Sequence, residues 1–153
     1  MNRLGILFAA GAALAMAGNA SATPAAAGSA AAPLAVSNAW IRLLPGDLPA
    51  GGYATLRNTG DQALRLTSAH SNAFRMVMLH QSTHGKGMES MHMVSGIDIP
   101  AHGEVTLAPG GYHLMLMHRS RSLKPGDTVT ITLKLADGRQ QDAAFAVRPA
   151  NAH

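Results

Sequence analysis

The stretch Thr128-Val129-Thr130-Ile131-Thr132-Leu133-Lys134-Leu135 alternates polar and aliphatic residues without a break. Successive side chains of a β-strand point to opposite faces, so this segment reads as a strand with one buried and one solvated face. Turn signals recur at short intervals around it: Leu44-Pro45-Gly46-Asp47, Asn58-Thr59-Gly60-Asp61, Pro109-Gly110-Gly111, Lys124-Pro125-Gly126-Asp127 and Ala136-Asp137-Gly138. Between them lie further strand candidates: Val36 to Leu43, Tyr53 to Arg57, Leu64 to Ala69, Arg75 to His80 and Met91 to Val94. Val105 to Leu107, Tyr112 to His118 and Ala143 to Val147 complete the set. There is no long helical period and no internal repeat. Short strands with Gly/Pro punctuation describe an all-β, antiparallel sandwich or barrel.

The chain has 153 residues, room for one domain. Asn2 and Arg3 precede an apolar run from Leu4 to Met16, and Ala20-Ser21-Ala22 has the form of a signal-peptidase site. Residues 1–22 are therefore expected to be a cleaved secretory signal, too short in its apolar run to span a membrane. Residues 23–33, rich in Ala, Gly, Ser and Pro, read as a flexible linker. The folded domain is expected at 34–148, with 149–153 as a tail. The sequence contains no cysteine, which excludes thiol–disulfide chemistry and an acylated lipobox cysteine. The protein is therefore expected to be exported and soluble, without stable membrane insertion.

The formal charge is +4, and the basic residues are scattered. Only Arg119, Arg121 and Lys124 approach a cluster, with no interleaved aromatics, so nucleic acid is not an expected partner.

The methionines are not scattered. Seven of the nine lie between Met76 and Met117, among histidines, and four residues form the pattern His80-x10-Met91-x21-His113-x-Met115. In Tyr112 to His118, Leu114 and Leu116 take one strand face while His113, Met115 and Met117 take the other. Upstream, Val77 and Leu79 alternate with Met76, Met78 and His80; Met91 and Met93 share a face around His92. If methionine were only filling the core, it would sit where Leu and Val sit. Here it sits opposite them, with His113 and Met115 expected to face outward or toward a rim. Thioether is a soft donor and imidazole a borderline one, so His80, Met91, His113 and Met115 form a candidate Cu(I) site, about one ion per chain. Zinc would prefer thiolate, imidazole or carboxylate. His84 and Met88, in the segment Thr83 to Met88 expected to be a Gly-rich loop, are accessory candidates. Met76, Met78, Met93 and Met117 read as an apolar apron. His92 and His118 read as structural or exposed; His70, His102 and His153 lie away from the constellation.

The same residues resemble a known family, the periplasmic copper chaperones of the PCuAC type, whose hallmark H-(M)-x10-M-x21-H-x-M is met without insertion. The segments Asn38 to Arg42, Ala50 to Tyr53, Leu56 to Asp61 and Pro109 to Met117 are similar to the family as well. The resemblance covers about Val36 to Val147. It implies a cupredoxin-like Greek-key β-sandwich binding Cu(I) through His80, Met91, His113 and Met115. It also implies a carrier that delivers copper to the CuA domain of cytochrome c oxidase, directly or alongside a Sco-type chaperone. Some relatives carry a His/Met-rich tail for a second, Cu(II), ion. This chain ends Asn151-Ala152-His153, so that second site is not expected.

An alternative with the same ligands is copper buffering or resistance without a dedicated acceptor. An enzyme is not expected. Blue-copper electron transfer needs a cysteine ligand, a His-brace oxygenase needs histidine at the mature N-terminus, and the carboxylates form no hydrolase motif. Nothing in the sequence calls for a dimer.

Overall fold

The computed structural model describes residues 32–153. The expected signal and all of the expected linker except Ala32 and Pro33 lie outside the described residues. Ten strands follow in order: β1 (Leu34–Arg42), β2 (Ala50–Asn58), β3 (Leu64–His70), β4 (Phe74–Gly85), β5 (Met88–Met93), β6 (Ile97–Ile99), β7 (Glu104–Leu107), β8 (Tyr112–Arg119), β9 (Thr128–Leu135) and β10 (Gln140–Arg148). Folded packing starts slightly before the expected boundary: Ala32 is buried, and the Pro33 carbonyl accepts a hydrogen bond from the Thr59 amide.

One hydrogen-bonded path runs β5-β4-β8-β2-β1-β10-β9-β3-β6, with β7 pairing to β2 beyond β8. The path folds over on itself. Leu79, Leu114 and Leu116 from one half share a single core with Leu66, Ile131, Leu133 and Phe145 from the other. This is the cupredoxin-like β-sandwich, antiparallel except where β1 runs parallel to β10 and joins the two halves. Its strand alternation follows the sequence: Val129, Ile131, Leu133 and Leu135 are buried along β9, with residues between them exposed or partly so. β6 was not expected. Its three residues are too few to show a period, yet Ile97 and Ile99 are both in the core.

Two local departures shape the site. The register between β1 and β2 shifts between Ser37 and Trp40, with Asn38 at φ 50°. One extra residue in β1 reverses its alternation. Leu34 is in the core before the bulge and Ile41 after it, so Trp40 and Arg42 emerge on the outer face. The second departure corrects the Gly-rich loop expected at Thr83 to Met88. Strand β4 continues to Gly85, which pairs with Met88, leaving a turn of Lys86 and Gly87 at φ 49° and 75°. Positive φ at both positions matches the twist of a two-residue hairpin turn.

Candidate metal centre

On the outer face of β4 and β8, three cross-strand pairs stack in register: His80 with His113, Met78 with Met115, and Met76 with Met117. The intervening pairs, Leu79 with Leu114 and Val77 with Leu116, point into the core. The hairpin partner β5 extends the rows, setting Met93 beside His80 and Met91 beside Ser82. On the other flank, Gly51 of β2 lies beside Met115.

The two imidazoles meet edge to face, ring centroids 5.8 Å apart and planes at 60°. His113 Nδ1 lies 3.0 Å from the Gly111 carbonyl oxygen. A carbonyl only accepts, so Nδ1 carries the proton and Nε2 keeps its lone pair, the arrangement that orients a histidine ligand. His113 is 5% exposed, which corrects the expectation of an outward or rim position. It is on the outer face, but covered, with the Tyr53 ring 6.4 Å away. His80 is partly buried, and its Nδ1 has no hydrogen-bond partner among the described residues. Burial holds the His80 pKa below the usual 6.5, and the neighbouring His113 and His92 lower it further. Both effects disfavour the imidazolium and leave a neutral donor at neutral pH.

Met91, His113 and Met115 line one cleft of about 170 Å³ with Arg42, Leu44, Pro49, Ala50, Gly51 and Tyr53. His80 joins them through its ring contact with His113 rather than by lining the cleft. Among the described residues, no three His, Cys, Asp or Glu side chains converge. The donors grouped here are His113, Met91 and Met115 in the cleft with His80 beside them, Met91 being half exposed at the mouth.

The far wall of the cleft was not foreseen. Tyr53 folds back over Gly51, where an added Cβ would lie 2.5 Å from the phenol oxygen. Only glycine admits that ring. Tyr53 then stacks on Trp40 at 4.7 Å, and the Arg42 guanidinium lies 5.4 Å from the Tyr53 centroid and 5.7 Å from that of Trp40. Arg148 packs on Trp40 as well, at 5.1 Å. Such cation–π contacts attract the guanidinium groups to the ring faces and tie the wall together. Burial raises the Tyr53 pKa, an effect that Arg42 partly opposes, so the phenol is neutral. The signals were present in Gly51-Gly52-Tyr53 and in Asn38, a residue that tolerates positive φ. Without the bulge, however, Trp40 reads as a core residue.

The remaining donors stand apart. His84 and Met88 lie at the hairpin tip, His84 four residues and about 13 Å along the strand from His80. One ion cannot be shared across that distance. His92, His118 and His70 are exposed, and His102 pairs with Asp61 at 2.6 Å. A larger polar depression of about 430 Å³, between His70, Arg121 and Thr130, contains no methionine.

The model of the LpqE-like family, described as putative lipoprotein LpqE-like, matches residues 34–147. A putative lipoprotein of Leifsonia xyli subsp. xyli, Lxx21020, is 33% identical over 114 residues, spanning 74% of this chain and 68% of that protein. Among solved structures, the copper-bound PCuAC domain from PmoF2 matches with a TM-score of 0.64 and 26% identity, over 78% of this chain and 96% of that domain. CuI-DR1885 from Deinococcus radiodurans matches with a TM-score of 0.59 and 36% identity, over 88% of this chain and 85% of that one. Matched over about three quarters of its length by that family's model, and sharing its sandwich with these solved structures, the chain belongs to the LpqE-like family, and its fold is that of the PCuAC domains.

Proposed function

We propose that this protein is a copper chaperone that binds one Cu(I) ion through His80, Met91, His113 and Met115. The observation that carries the proposal is the cleft itself. His113 Nε2 is left free by the Gly111 contact, His80 stands directly across the strand, and the thioethers of Met91 and Met115 share the cleft wall. Two neutral imidazoles with two neutral thioethers suit a soft monovalent ion, and they avoid the thiolates that an oxidising compartment would convert to disulfides. Two of the structural relatives are copper-bound forms, which supports the same reading.

Arg3, the apolar run from Leu4 to Met16 and the Ala20-Ser21-Ala22 site support export, and this reading places the exported protein in the periplasm. The relatives carry lipoprotein names, but this sequence has no cysteine to acylate. Among the described residues, no helix is long and apolar enough to cross a membrane. The acceptor in this reading is the CuA centre of cytochrome c oxidase. A half-exposed Met91 at the cleft mouth offers a route for ligand exchange with an incoming protein.

Competition with a Cu(I) chelator tests the site: His113→Ala should weaken binding at least tenfold, and unchanged affinity would refute the ligand assignment. Mixing the Cu(I)-loaded protein with an apo CuA domain under reducing conditions tests delivery. Growth of the CuA absorbance supports it; absence of transfer leaves a buffering protein with the same site.

A further inference from the structure

The cross-strand register places more thioethers together than one site uses. Met76 faces Met117 and Met78 faces Met115, so four methionines occupy adjoining positions on one outer face of β4 and β8. Directly opposed residues on a sheet have Cβ atoms about 5 Å apart, and same-face neighbours along a strand lie about 7 Å apart. The centre of such a rectangle is about 4 Å from each corner, within reach of a methionine Sδ. The core does not require these side chains, because Val77, Leu79, Leu114 and Leu116 already cover the inner face. Strand β5 ends at Met93, opposite His80, and Val94 adds one more backbone hydrogen bond to Leu79, so Met78 and Met76 lie beyond its edge. Met76 is 44% exposed, which leaves this end of the methionine face accessible from solvent.

We propose that Met76, Met78 and Met117 form a second Cu(I) position that shares Met115 with the first. This inference rests on the copper-binding reading above and extends it. A set of neutral thioethers is selective for a monovalent soft ion, and without an imidazole it holds that ion more weakly than the His80–His113 pair does. Met115 belongs to both positions. An ion can therefore pass from the imidazoles to the methionine block by exchanging one ligand at a time. The metal stays Cu(I), no electron moves, and each copper–ligand bond broken is replaced by a copper–sulfur bond. The exposed Met76 then gives an acceptor a second point of access to the ion, besides Met91 at the cleft mouth.

The test is a titration of the protein, labelled with 13C at its methionine methyl groups, with Ag(I), a redox-inert soft monovalent probe. The first equivalent is expected to shift Met91 and Met115, and the second to shift Met76, Met78 and Met117. A Met76→Leu/Met117→Leu variant should keep the first response and lose the second, reducing the stoichiometry from two equivalents to one. Shifts confined to Met91 and Met115 at excess Ag(I) would overturn the second position, as would second-equivalent shifts at Met88 and Met93. If no methyl group responds at all, the copper-binding reading itself fails, and this inference with it.

Discussion

Met115 and Leu116 are adjacent on β8, and the two faces of that strand predict opposite consequences for them. Leu116 is 0% exposed; it pairs with Val77 and would contact a Cβ at Gly52 at 3.4 Å. Leu116→Ala therefore leaves a cavity in a packed core, at a cost of about 3 kcal/mol within the usual 2–5 kcal/mol range. For a domain of this size that lowers the Tm by roughly 10 °C. The donor atoms stay in place, so Cu(I) affinity should change by less than about threefold, under roughly 1 kcal/mol. Met115 is half-buried and lines the cleft. Met115→Leu nearly conserves volume and should cost less than about 1.5 kcal/mol of stability. It removes one thioether of the set, however, and Cu(I) affinity should fall at least tenfold, about 1.4 kcal/mol or more. Thermal unfolding of the apo proteins and chelator competition read the two effects separately. If Met115→Leu retained full affinity, or unfolded as early as Leu116→Ala, the division of β8 into a core face and a metal face would be wrong.

Three further outcomes follow from the same structure. The His80 pKa is held below 6.5 in the folded state, so the unfolded chain takes up the proton first as pH falls. Apo stability should then drop as pH decreases through 6.5 and level off below the folded pKa; His80→Gln should remove that part of the dependence, as read by urea denaturation across pH. Gly51→Ala places a Cβ within 2.5 Å of the Tyr53 oxygen and 2.9 Å of Cζ. The ring must move by about 1 Å, for about 1–3 kcal/mol of destabilisation, and changed Tyr53–His113 contacts in an NMR spectrum would report it; an unaltered ring position would count against the packed wall. Asn58 is fully buried, donating to the Gln62 and Ile99 carbonyls at 2.7 and 3.2 Å and accepting from the Gly60 amide at 2.9 Å. Asn58→Ala strands those groups and should cost about 2–4 kcal/mol while leaving Cu(I) binding intact, since the side chain is remote from the cleft.

Strand alternation made most of the fold legible. Thr128 to Leu135 is a strand over the expected residues, and the division of Leu114 and Leu116 from His113 and Met115 appears in the structure as it does in the sequence. Periodicity could not show β6, where only Ile97 and Ile99 face the core, nor the hairpin of β4 and β5. Its Lys86-Gly87 turn lies between segments that bury almost nothing, all of β5 being exposed. The parallel pairing of β1 with β10 joins residues about a hundred apart in the chain, a contact that no local pattern encodes.

The burial of His113 is the point at which pattern reasoning and structure part, and the reason is instructive. Alternation assigns a face, but whether that face is wet depends on what lies across it. Here the bulge at Asn38 turns Trp40 and Arg42 outward, Gly51 clears a place beside Met115, and Tyr53 folds into it. A stack of two aromatic rings and a guanidinium thus covers an outer sheet face that would otherwise be solvated. The result is a histidine buried on the side away from the core, with its proton fixed on Nδ1 by Gly111. A donor held in that way loses little rotamer freedom when it takes a ligand, whereas the exposed Met91 and Met76 must be ordered first. His113 is therefore the pre-ordered member of the candidate centre, and Met91 the member that must be ordered when a ligand binds.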